Sequence, residues 1–133
     1  MHHRGYNPPE LPSWPASFSQ IVVTQTPRRM VFVSGQVSVD AGNNIIGEGN
    51  LAIQAETAFR NLERALVAVG VKAQDVAKVG IYVKDFHEED AAVIREAMRR
   101  VFAEKPLPTS TWLGVERLAL DGCLIEVDAI AVI

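Results

Sequence analysis

Glu126 and Asp128 interrupt an otherwise apolar run from Leu124 to Val132. A carboxylate in such a run is costly unless it is paired, hydrogen-bonded or wet. Burial raises its pKa, which suits a general acid or base. The residues leave two readings open for each: a working carboxylate facing a cleft, or one at a sheet end salt-bridged to Arg117 or Lys84. A second polar interruption, Ser34-Gly35, ends the apolar stretch Met30-Val31-Phe32-Val33. Cys123 near a turn reads as a partly buried structural thiol, because no histidine shows a link to it. His87-Glu88-Glu89-Asp90 reads as a solvated acidic helix start, and His2-His3 as a solvated terminus. The chain carries no P-loop, Rossmann glycine fingerprint, HExxH, paired CxxC or GxSxG elbow. No motif calls for a metal or a cofactor.

The composition narrows the class further. At 133 residues the chain is one domain, able to bury roughly two-thirds of its unfolded surface. One cysteine excludes an intramolecular disulfide and a cysteine-only zinc site. The net charge of −3 argues against a dedicated nucleic-acid binder, which is normally basic. No apolar run approaches the roughly 20 residues of a membrane-spanning helix. The opening Met1 to Pro9 has no hydrophobic stretch after its charge and does not read as a signal peptide, so the expected location is cytoplasmic.

These candidate groups need elements to position them. Residues 1–17, with Pro8-Pro9, Pro12 and Pro15, read as an extended arm, and residues 18–133 as the single domain. Strands are expected at Ser19 to Thr24, broken by Gln25 to Arg28, and at Met30 to Val37. The turn residues Asp40 to Asn43 lead back to a short strand at Asn44 to Ile46. From Leu51 to Val69 apolar residues recur at spacings of three and four, with Asn50 as cap and Gly70 after the end. Val76 to Val83 is a strand and Glu88 to Glu104 a helix, acidic at its start, basic near its end and stopped by Pro106. Thr109 to Val115 and Leu124 to Val132 are the last strands. The order β-β-β-α-β-α-β-β implies an α+β fold, two helices on one face of a mixed sheet. Met30 to Val33, Val79 to Val83 and Ala129 to Val132 are apolar at consecutive positions, so they require burial on both faces. Two helices cover one face only. Self-association is the economical cover for the other, and it would create clefts between subunits.

Several stretches, in order and spacing, resemble the RidA/YjgF family from about Ser19 to the C-terminus. They are Val33-Ser34-Gly35-Gln36; Gln54, Ala58, Asn61-Leu62, Leu66 and Gly70; Asp75-Val76 and Lys78-Val79; Tyr82 to Phe86; and Ile125 to Val132. The resemblance implies a chorismate-mutase-like fold and a homotrimer with three small-molecule clefts between subunits. It implies a deaminase-type hydrolase acting on reactive enamines and imines such as 2-aminoacrylate. By this likeness Glu126 and Ser34 are the catalytic candidates, and Gly35, Phe18, Arg95, Ser110 and Trp112 the substrate-binding ones. The chain departs from the family in four places. Phe18 stands where many members have tyrosine, and Arg95 where an asparagine is usual. Trp112 stands for a smaller residue, often cysteine. In Pro108-Thr109-Ser110-Thr111, Ser110 occupies the position of the arginine that grips the substrate carboxylate, a bidentate task. The chain thus looks like an arginine-less branch, for which activity on 2-aminoacrylate is not assumed. The alternative is a non-catalytic metabolite-binding protein of the same fold. A ribonuclease or translation inhibitor, the family's older label, is disfavoured by the acidic balance.

Overall fold

A computed structural model describes residues 3–26 and 29–133. His2 and the second half of the expected break, Pro27-Arg28, lie outside the described residues. The first helix, α1 (Leu51–Ala68), begins where Asn50 Oδ1 accepts the amide of Ile53 at 3.0 Å. It ends one residue before the expected Val69, and Gly70 follows at φ +73°, the left-handed conformation glycine adopts without strain. Its apolar face, with Ala55, Ala58, Phe59, Leu62 and Leu66, is completely buried.

Among the described residues six strands accompany it: β1 (His3–Tyr6), β2 (Ile21–Thr24), β3 (Met30–Val37), β4 (Val76–Lys84), β5 (Thr109–Val115) and β6 (Ile125–Val132). The second helix, α2 (Asp90–Val101), lies between β4 and β5. The order is therefore β-β-β-α-β-α-β-β, as the sequence implies. The identity of the early strands is different. β1 comes from the proline-rich arm and pairs antiparallel with β2 as a separate ribbon. The expected strand at Asn44 to Ile46 shrinks to one bridge, Val39 to Ile45. Its turn is made by side-chain chemistry: Asp40 Oδ1 accepts the amides of Gly42 and Asn44, both at 2.9 Å, while Asn43 takes φ 65°. α2 is shorter than expected at both ends. Asp90 Oδ2 accepts the His87 amide at 2.9 Å, and Phe102 leaves helical geometry to set its ring edge-on to Phe59 in the core.

The main sheet has the order β3-β6-β4-β5, with β6 antiparallel to both neighbours and β5 parallel to β4. Alternate residues of β6 separate its faces. Ile125, Val127, Ala129 and Ala131 are buried with Val79, Ile81 and Val83 of β4 and with both helices. α1 crosses β3 and β6, and α2 packs on α1. The opposite face is uncovered: Phe32 is 69% exposed and Met30 54%. Among the described residues no helix is long and apolar enough to cross a membrane.

Candidate functional site

The uncovered sheet face holds both carboxylates. Glu126 and Asp128 alternate with the buried Ile125, Val127 and Ala129, so they project away from the helices. Opposite them β3 is irregular. Val33 pairs with Ala129 and Gln36 with Val127, leaving Ser34 and Gly35 together against Asp128. The two residues thus form a β-bulge inside β3, whereas the sequence reading has them end the apolar stretch. An extra residue on one strand bends the chain and re-aims what it carries. Here it brings the Gly35 backbone onto Glu126: a Cβ at position 35 would lie 2.7 Å from Glu126 Cδ and 3.0 Å from Oε1. Only glycine permits that approach with the carboxylate in place.

On the other side, β4 sets Tyr82 opposite Glu126 and Gly80 opposite Asp128. Asp128 Oδ1 accepts the Gly80 amide at 3.1 Å, and Oδ2 accepts the Tyr82 hydroxyl at 3.3 Å. Asp128 is therefore hydrogen-bonded within the sheet, while Glu126 has no ion pair among the described residues. The expected partner Arg117 reaches Asp121 at 3.3 Å instead. Burial, and then the charges of Asp128 and Glu126, hold the Tyr82 hydroxyl above its ordinary pKa. Burial and the Glu126 carboxylate push the Cys123 thiol upward as well, and this free cysteine is 1% exposed. A thiol so placed is a poor nucleophile.

One chain gathers only part of the expected site. Ser34, Gly35 and Glu126 come together at the bulge. Ser110 and Trp112 pair in register with Val79 and Ile81, on the helix side of β5, and Trp112 Nε1 donates to Ser110 Oγ at 3.2 Å. Arg95 sits half-buried on α2, across the sheet from Glu126. Phe18 follows directly on the arm, and its ring stacks on the arm's Trp14 with centroids 5.3 Å apart. Tyr82 and Gly80 are the participants that sequence reasoning missed. A tyrosine between apolar strand neighbours was the available signal, since its hydroxyl needs a partner. Which partner depends on the β4–β6 register.

Residues 11–133 match the family described as Endoribonuclease L-PSP. A 2-iminobutanoate/2-iminopropanoate deaminase from Dermatophagoides farinae is 31% identical over 103 residues, 77% of each chain. Among solved structures, the Rid-family protein YyfB of Yersinia pestis superposes with a TM-score of 0.93 at 28% identity, covering all of both chains. Escherichia coli TdcF, solved with bound serine, gives 0.68 at 28% identity and covers 98% of this chain and 92% of its own.

Proposed function

From the premise that this chain belongs to the endoribonuclease L-PSP family, also called RidA/YjgF, we propose that it is a deaminase hydrolysing a small imine or enamine. Glu126 is the proton-transferring group, and the site is completed when a second copy covers the open sheet face. The observation that carries this reading is the Glu126 carboxylate, without an ion pair among the described residues and held against the Gly35 bulge, on a face whose Phe32 and Met30 are left in solvent. The relative's deaminase activity supports the reaction class.

The chemistry balances without a cofactor. Water adds its oxygen to the imine carbon while Glu126 takes one of its protons. Glu126 returns that proton to the nitrogen, which completes the carbinolamine. It then takes the hydroxyl proton and passes it to the amino group as the C–N bond breaks and the carbonyl forms, so one imine and one water give a carbonyl compound and ammonia. An enamine first takes a proton on carbon to become the imine. Tyr82, whose proton is directed at Asp128, offers its oxygen lone pairs to a substrate N–H beside Glu126. Ser110 lies on the helix side of its own sheet, so the Ser110 that meets this Glu126 comes from the second copy. It stands where the family's arginine would grip a carboxylate, and the substrate is one without a carboxylate on the reacting carbon.

The test is ammonia release above the uncatalysed rate, with imines supplied in situ. An uncharged ketone imine is expected to turn over faster than 2-iminobutanoate. Turnover of 2-iminobutanoate should fall roughly 30- to 1000-fold below that of an arginine-bearing relative. Glu126→Gln, which keeps shape and hydrogen bonding, should cost about 100-fold or more in rate. Wild-type rates equal to the uncatalysed rate for every imine would replace this reading by that of a non-catalytic metabolite binder, which Ser110 also favours.

A further inference from the structure

A cavity of about 490 Å³ lies between the arm and the segment leading into β5, apart from the sheet face that holds Glu126. Its volume falls within the range of small-molecule sites. Arg4 and Lys105 line it, and no Asp or Glu does, although the chain as a whole carries −3. Lys105 Nζ donates to Pro15 O at 2.6 Å, which holds the ammonium at the cavity with two N–H groups to spare. Arg4 makes no ion pair among the described residues.

Two further polar groups in the wall are underused. Ser19 is 6% exposed; its amide donates to Pro108 O at 3.1 Å, but its hydroxyl makes no hydrogen bond among the described residues. His3 is equally buried, with Nε2 2.7 Å from Gln74 O and Nδ1 without a partner. Buried polar groups are normally satisfied, and among the described residues His3 Nδ1 is the side-chain atom that is not. The remaining wall joins Asn7, whose Oδ1 accepts the Gln20 amide at 2.9 Å, to the apolar Pro15, Phe18, Pro106 and Leu107. Gly5 allows the arm to close over it, since a Cβ there would meet Ser19 Oγ at 2.6 Å and Pro106 Cβ at 3.3 Å.

We infer that this cavity binds a small organic carboxylate, its charge between Arg4 and Lys105, an oxygen on the Ser19 hydroxyl, and its apolar body against Phe18 and Leu107. Two cations without a carboxylate select an anion. The apolar wall selects an organic one over inorganic phosphate. The site does not depend on the reaction proposed for Glu126.

Isothermal titration of the full chain with hexanoate and, separately, inorganic phosphate tests this. Arg4→Gln with Lys105→Gln removes both charges, while glutamine at 105 can still donate to Pro15 O. Hexanoate is expected to saturate one site per chain and to weaken about tenfold or more in the double variant, with Glu126→Gln unchanged. Three results would overturn the inference: no saturable hexanoate binding to the wild type, phosphate binding as tight as hexanoate, or binding lost in Glu126→Gln but kept in the double variant.

Discussion

Glu126 owes its setting to two backbone facts: a bulge that brings Gly35 against it, and a strand pairing that sets Tyr82 opposite. Gly35→Ala therefore collides with a movable side chain. The expected stability loss is about 1 kcal/mol or less, while a displaced Glu126 should lower turnover about 100-fold; melting and ammonia release on one preparation separate the two. Tyr82 gives a pH signature. Its folded pKa lies above the ordinary value near 10, burial being the main cause. The folded chain keeps that proton where the unfolded chain releases it. The contribution is full below pH 10 or so and is lost as pH rises from there through the folded pKa. Urea unfolding across that window should show a falling slope that Tyr82→Phe reduces, and equal slopes would remove the coupling. How much of this was legible differs by residue. Glu126 announced itself as a charge in an apolar strand. Ser34-Gly35 was visible as an interruption, but its being a bulge depends on the partner strand, and so does the pairing of Tyr82 with Asp128.

At the scale of elements, locally encoded boundaries were readable and non-local ones were not. α1 was found to within a residue because its cap, its spacing of apolar residues and Gly70 all lie within the segment. Removing the cap with Asn50→Ala should cost about 0.5–2 kcal/mol, measured by urea unfolding. β1 leaves no local mark in the sequence because four residues of a proline-rich arm carry no periodicity, and β2, its partner, is fifteen residues away. α2 ends earlier than its sequence suggests because Phe102 is drawn into the core beside Phe59 of α1, a contact from outside the segment. Gln54 illustrates the same limit. It is fully buried in α1, accepts the Leu124 amide at 2.8 Å and donates to Gly122 O at 3.0 Å and Gly47 O at 3.2 Å. It thereby ties the helix to the turn before β6 and the loop before α1. Gln54→Leu keeps bulk but strands these backbone groups, and about 2–4 kcal/mol of stability should be lost. A loss under about 0.5 kcal/mol, within the range of ordinary surface changes, would show that water replaces the amide.

For the whole molecule, the question is what lies over the open sheet face. Consecutive apolar residues in the strands implied two buried faces, and the single chain buries one. Phe32, Met30 and Leu113 remain in solvent on the side where Glu126 and Tyr82 stand. Exposed apolar surface of this kind marks an interaction site. A second copy would cover it and enclose the carboxylate, and three copies are what the family resemblance implies. Sedimentation equilibrium at micromolar concentration, on the wild type and on Phe32→Glu, tests this most directly. About three chain masses are expected for the wild type, and for Phe32→Glu a shift to a folded monomer that has lost turnover. A wild-type chain at the mass of a single 14.6 kDa protomer, with turnover intact, would contradict it.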